Sequence, residues 1–288
     1  MKVFDLHCDT VNKCAEKNTD IFDVSLAFKI VSGLKQKRFF ALWQDDTLDG
    51  KAAELKGEEL YNKYFQIEKQ LKGTNVVPFF SVENSSCIGD DTQRISLWKE
   101  RGLKMASLTW NGENNFAHGC DCERGGLKKP GKAFLKRFEE ENIVLDVSHL
   151  NVDSFKDVCS LSSKPIVASH SNCFAVCPHK RNLYDWQIKE IISCGGLIGI
   201  CFYPLFLGKG DVFENVYRNI CYVLTLGGEN TVALGSDFDG AEMNDKLCSC
   251  NDLINLYNYL IERGLTEVLL SKIFFKNSEK FFNNVLQC

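Results

Sequence analysis

The sequence has no long apolar run. No stretch in its 288 residues approaches the roughly 20 apolar residues needed to cross a bilayer. It has no apolar export segment either, because His7 and Asp9 interrupt the place where one would lie. The tail from Phe281 to Cys288 is too short and too polar to be a lipid-anchor signal. No charge dominates: 34 Lys and Arg are interspersed with 38 Asp and Glu for a net −4. That leaves no basic stripe to follow phosphates and excludes nucleic acid as the expected partner. No cysteine pair has the two-residue gap of a zinc ribbon or a thioredoxin-like site. Cys120/Cys122 and Cys248/Cys250 are each separated by one residue. Fourteen cysteines without an export signal imply free thiols in a reducing compartment. Cys159, Cys173, Cys194, Cys201 and Cys221 sit in apolar surroundings and read as small core residues. The expectation is a soluble, cytoplasmic protein with no membrane partner.

What is present is ordinary globular composition, 44% hydrophobic and 25% charged. Apolar, β-branched or aromatic runs recur at Val3–His7, Phe39–Trp43, Val76–Glu83, Met105–Trp110, Ile143–His149, Pro165–His170, Gly196–Tyr203 and Val232–Asp237. Stretches with helical spacing lie between and after them, at Lys51–Leu71, Lys132–Glu141, Val152–Leu161, Trp186–Cys194, Phe213–Leu226, Asp252–Arg263 and Thr266–Val285. Strand then helix, repeated about eight times over this length, predicts an α/β fold of the (β/α)8 TIM-like barrel type. Continuous apolar strands fit a parallel sheet buried on both faces. A doubly wound open sheet would normally carry a Gly-rich phosphate turn after the first strand; this chain has His7-Cys8-Asp9-Thr10 there. No composition break marks a second domain, so residues 1–288 are read as one metallohydrolase-type barrel.

The reactive residues follow one rule. Histidine is scarce, five in all, yet His7, His149 and His170 each end a predicted strand. Glu83 and Asp237 end two more. In a parallel barrel those ends share the face on which active sites are built. Imidazole and carboxylate suit zinc and related divalent ions. Three histidines with Asp9 and Glu83 are too many for one tetrahedral ion with an open position. They suit two ions if a carboxylate bridges, and Glu83, from an intermediate strand, is the natural bridge. Two ions about 3.5–4 Å apart can hold a hydroxide between them and polarise a carbonyl oxygen. Asp237 is then left as a proton carrier. Each residue also has a commoner structural use: a strand-ending histidine is often merely a satisfied polar group, Glu83 could cap a helix, and Asp237 and Asp239 could serve the turn before Gly240.

Seven stretches, taken in order, carry a resemblance as well. They are Asp5-Leu6-His7-Cys8-Asp9, Ser81-Val82-Glu83, Leu108-Thr109-Trp110-Asn111, Asp146-Val147-Ser148-His149 with Ala168-Ser169-His170-Ser171, Arg181-Asn182-Leu183, and Gly235-Ser236-Asp237-Phe238-Asp239-Gly240. The chain resembles the membrane (renal) dipeptidases, the zinc dipeptidases of peptidase family M19. The resemblance implies a dipeptide substrate, often with a C-terminal D-residue, two Zn2+ ions, and a homodimer. It implies His7 and Asp9 on one zinc, His149 and His170 on the other, Glu83 bridging, Arg181 on the substrate carboxylate and Asp237 as proton shuttle. Tyr203, ending its run, is grouped with the substrate-contacting residues.

There are departures. Mammalian members have a substrate-contacting histidine where this chain has Trp110, which offers an indole N–H and an aromatic wall. His118, eight residues on, is the candidate to replace it. Asn84-Ser85 follows Glu83 where the family usually has glycines. The mammalian members are secreted and lipid-anchored, and this chain lacks both signals. Two other readings compete. One is a different amidohydrolase-type reaction, deamination or lactone opening, although those enzymes typically open with His-X-His. The other is a metal-binding barrel that captures peptides without cleaving them.

Overall fold

The computed structural model describes residues 1–18, 20–24 and 34–286. Eight strands run in chain order: β1 (Lys2–Cys8), β2 (Lys35–Trp43), β3 (Val76–Glu83), β4 (Met105–Ser107), β5 (Val144–Asp146), β6 (Val167–Ala168), β7 (Leu197–Ile200) and β8 (Val232–Leu234). Each pairs in parallel with the next, and β8 closes on β1 through Asp5 and Leu234. The helices are α1 (Thr10–Glu16), α2 (Ile21–Val24), α3 (Gly50–Gln70), α4 (Gln93–Glu100), α5 (Lys129–Glu140), α6 (Val152–Leu161), α7 (Asp185–Ser193), α8 (Pro204–Leu207), α9 (Val212–Thr225), α10 (Asp252–Glu262), α11 (Glu267–Ser271) and α12 (Asn277–Leu286). This is the expected (β/α)8 barrel. No helix among the described residues is long and apolar enough to cross a membrane.

Two apolar layers hold it. Outer strand faces pack on helices whose buried residues recur every three or four positions, as Leu60, Tyr64 and Ile67 do in α3. Inside the barrel, Phe4, Leu6, Phe39, Met105, Val144, Val167, Leu197 and Ala233 form a second cluster. Phe275, Phe281 and Phe282 from the C-terminal segment join that cluster. Asn277 anchors the segment by donating to the carbonyls of Val232 at 2.8 Å and Glu229 at 2.9 Å. One end of the barrel is thereby plugged with aromatic rings. The C-terminal ends of the strands lie at the other end.

The differences from expectation have physical reasons. β2 starts at Lys35, four residues before the apolar run, because polar Gln36 and Arg38 are buried by pairing. Arg38 reaches Asp5 at 3.2 Å and the Cys250 sulfur at 2.9 Å. α4 buries only Ile95 and Trp98, too few to show a period. The expected helix Thr266–Val285 is broken by a wide turn over Lys272–Lys276. Thirteen cysteines are free thiols; Cys288 lies outside the described residues.

Candidate metal centre and active-site cleft

β1 is irregular where it matters. Asp5 pairs with Arg38 but Cys8 pairs with Phe40, so three steps on β1 face two on β2. Phe4 and Leu6 point into the barrel cluster. Strict alternation would turn His7 outward. The bulge re-aims it, so that His7 reaches the open end with Asp9 while the Cys8 thiol turns outward to the Phe39 carbonyl. Asp9 then starts α1, its backbone N–H on the Phe238 carbonyl at 2.9 Å.

Glu83 ends β3 with its two oxygens divided. Oε2 lies 3.2 Å from His7 Nε2 and Oε1 lies 2.7 Å from His149 Nε2. Asn84 follows with φ of 81°, the left-handed region that favours glycine and that asparagine tolerates. Its side chain ties the turn down: Nδ2 donates to the Gln44 carbonyl and Asp46 Oδ1, and Oδ1 accepts from the Ser86 N–H. Here asparagine meets a backbone requirement that glycine would otherwise meet.

His149 and His170 stand two or three residues past β5 and β6, and their outer nitrogens are committed. Ser169 Oγ donates to Asp146 Oδ2, so it must accept from His170 Nδ1–H at 2.8 Å. His149 Nδ1–H donates to Asn111 Oδ1 at 2.8 Å. Both rings therefore present an unprotonated Nε2 to the centre, where the two nitrogens lie 2.9 Å apart and that of His149 also accepts from Arg181 Nη2 at 3.0 Å. Burial, with Arg181 next, pushes His149 down to about 4. Burial, with His7 and Arg181, drives His170 well below its usual value. Both are neutral at physiological pH, as metal-ligating imidazoles must be. His7 differs. Burial alone would lower it, but Glu83 and Asp9 raise it well above its ordinary value. The carboxylates hold a positive charge at that spot.

Asp237 follows β8 with φ of 62° and its N–H on the His7 carbonyl at 3.1 Å. Oδ1 is 4.0 Å from His7 Nε2, and Oδ2 accepts from the Cys201 thiol at 3.6 Å. Burial and then Asp9 push this carboxyl up to about 8. Gly240 is required beside it, because a Cβ there would lie 2.1 Å from Asp9 Oδ2 and 2.7 Å from Asp237 Oδ1.

A cleft of about 520 Å³ opens over these groups. Arg181 lines it, 4% exposed, with no carboxylate partner among the described residues. It donates to the carbonyls of Ser148 and His170 and, at 3.0 Å, to His149 Nε2, and its Nε has no partner. A buried cation without a counter-ion is rare. Trp110 and Trp43 make an edge-to-face pair, centroids 5.1 Å apart, on one wall, and Tyr203 and Phe206 lie on the lining too. His118 is a correction. It is absent from the lining, its Nδ1 held by the Gly126 carbonyl at 2.9 Å and its Nε2 3.4 Å from Glu113. Bridge pairing of Glu113 with His118 and of Gly119 with Leu150 fixes its backbone too. Sequence reasoning overlooked Trp43, although the rule that found Glu83, a polar or reactive residue closing a strand, reaches it. It also gave no role to Asn111, whose signal is its place directly after Trp110.

The donors suit divalent cations. His7 Nε2 lies 3.2 to 3.3 Å from Glu83 and Asp9 oxygens yet makes no aligned hydrogen bond, and Asp9 Oδ1 is buried and unpartnered. These atoms face a common centre rather than one another. Ligand atoms of His7, Glu83 and His170 lie within 4.8 Å, as do those of His7, Asp9 and Asp237.

Known proteins agree with this architecture. The family model described as membrane dipeptidase (peptidase family M19) matches residues 51–288. An uncharacterised Klebsiella pneumoniae protein from the pqqA 5′ region is 32% identical over 219 residues, 72% of this chain and 81% of its own length. A dipeptidase of Aspergillus oryzae is 30% identical over 193 residues, 64% of this chain and 46% of its own. Among solved structures, a Rhodobacter sphaeroides metallopeptidase liganded with a phosphinate mimic of L-Ala-D-Ala superposes with a TM-score of 0.90 at 23% identity, covering 99% of both chains. The M19 dipeptidase AC gives 0.91 at 24%, covering 100% of this chain and 99% of its own. The chain belongs to the membrane dipeptidase family, peptidase family M19.

Proposed function

We propose that the protein hydrolyses the peptide bond of dipeptides, those with a C-terminal D-residue included, using two divalent cations, zinc by family likeness. His7 and Asp9 would hold one, His149 and His170 the other, and Glu83 both. The observation that carries this is the divided Glu83 carboxylate, with one oxygen toward His7 and one toward His149. Cations bound there would polarise the scissile carbonyl and lower the pKa of water.

The chain's own groups do the rest. The Arg181 guanidinium, which has no carboxylate partner among the described residues, takes the substrate's C-terminal carboxylate, a bidentate match of planar groups. Trp43, Trp110, Tyr203 and Phe206 exclude water and pack the side chains. Asp237 accepts a proton from the attacking water and returns it to the departing amine. Its carboxyl, pushed up by burial and Asp9, would titrate lower once the neighbouring negative charge is balanced by cations. The C-terminal D-residue follows from the Rhodobacter protein's ligand.

The test is metal quantification alongside a panel of dipeptides with L- and D-C-terminal residues, lactones and cyclic amides. Two divalent ions per chain with chelator-sensitive dipeptide hydrolysis is the expected result. Turnover of lactones or cyclic amides alone would replace the reading. So would dipeptide binding without turnover in the fully loaded protein.

A further inference from the structure

The two ends of one amide carry a role that the ligand set does not cover. Asn111 stands on the half-buried loop after β4 and lines the cleft between Trp110 and His149. Its Oδ1 accepts twice, from His149 Nδ1–H at 2.8 Å and from the Cys120 thiol at 3.2 Å. Its backbone is clamped as well: its carbonyl accepts the Asp121 N–H at 2.8 Å, and Gly112 and Gly119 close the loop at 2.8 Å. A Cβ on Gly119 would come within 2.4 Å of that carbonyl, so the loop has no slack. With Oδ1 accepting both bonds, Nδ2 is the end left over. Nδ2 hydrogen-bonds to none of the described residues and is not among the enclosed polar atoms. It is open to solvent on a residue that lines the cleft.

We propose that Asn111 is a catalytic residue with a divided amide. Oδ1 fixes the His149 tautomer, so that Nε2 is unprotonated toward the centre. Nδ2 donates a hydrogen bond to the substrate carbonyl oxygen as charge gathers on it. This rests on the dipeptidase reading. When water adds to the carbonyl carbon, the π pair moves onto oxygen, and Nδ2–H stabilises that oxygen without giving up its proton. A donor held rigid before the reaction costs no reorganisation when charge appears. This side-chain amide, on the cleft wall beside His149, is placed for both tasks, and neither task competes with the other.

Substitution separates the two halves. Asn111→Asp keeps an acceptor for His149 Nδ1–H and replaces the N–H2 donor with a second acceptor. Asn111→Ala removes both. The readouts are zinc affinity by competition with a chromogenic chelator, without substrate, and kcat and KM on the best dipeptide with both variants zinc-loaded. Asn111→Asp is expected to hold zinc as tightly as the parent while kcat drops on the order of 10²–10³-fold with KM little changed. Asn111→Ala is expected to lose that turnover and also to bind one of its two zinc ions about 10–100-fold more weakly. Parental kcat in Asn111→Asp overturns the donor half, and parental zinc affinity in Asn111→Ala overturns the orienting half. If the parent protein cleaves no dipeptide, the dipeptidase reading has failed and the donor half falls with it, while zinc affinity still decides the orienting half.

Discussion

Asp237→Asn tests the proton carrier with two independent readouts. Asparagine fills the same space and can still accept from the Cys201 thiol, so the turn at φ of 62° is kept. In the metal-loaded protein the variant cannot carry a proton between water and amine. General acid–base work is worth about 10²–10⁴-fold, or ~3–5 kcal/mol of barrier, and kcat should drop by that much with two ions still bound. The second readout comes from the metal-free protein. There burial and Asp9 push the Asp237 carboxyl up to about 8, against about 3.9 in an unfolded chain. Between those values the folded chain holds a proton that the unfolded chain has released. Stability contributed below about pH 4 is therefore lost as pH rises toward about 8, by at most ~1.4 kcal/mol per pH unit. Asparagine has no such proton. Chelated Asp237→Asn should therefore outlast the chelated parent in urea by a margin that grows from acid to neutral pH and levels off above about pH 8. Steady-state kinetics, metal content and urea midpoints at several pH values supply the data. Unchanged kcat removes Asp237 from proton transfer, and a pH-independent margin refutes the burial argument.

Two further substitutions probe the walls of the cleft. Arg181→Lys replaces the buried fork with a point charge and should raise KM for dipeptides by about 10–100-fold, in line with ~1.5–3 kcal/mol for a charged hydrogen bond; amidated dipeptides should lose the difference. Gly240→Ala would set a methyl group 2.1 Å from Asp9 Oδ2 and 2.7 Å from Asp237 Oδ1. Titration calorimetry should show one of the two cations bound at least about 10-fold more weakly, with the circular dichroism of the barrel unchanged.

Most of the barrel was legible because a parallel sheet covered on both faces needs apolar strands and amphipathic helices, and those leave periods in a sequence. Failures fell where burial was achieved by pairing rather than by apolarity. The start of β2 looks like a charged loop until Arg38 meets Asp5 and Cys250. The site was legible for a related reason. Histidine is scarce here, and the C-terminal ends of the strands of a parallel barrel share one rim. That rule located His7, Glu83, His149, His170 and Asp237, yet it was silent on the devices that aim them. The bulge between Asp5 and Cys8 is a mismatch between two strands and exists in neither strand alone. The tautomers of His149 and His170 depend on Asn111 and Ser169, ordinary polar residues whose work is set by a neighbour's geometry. His118 shows the converse: a residue type rich in chemistry, eight positions from Trp110, is drawn off by the Gly126 carbonyl and Glu113. Sequence spacing can place a reactive group on the right rim. What sets its orientation there is the hydrogen bond on its far side, and in this cleft those bonds come from Asn111, Ser169 and Cys201.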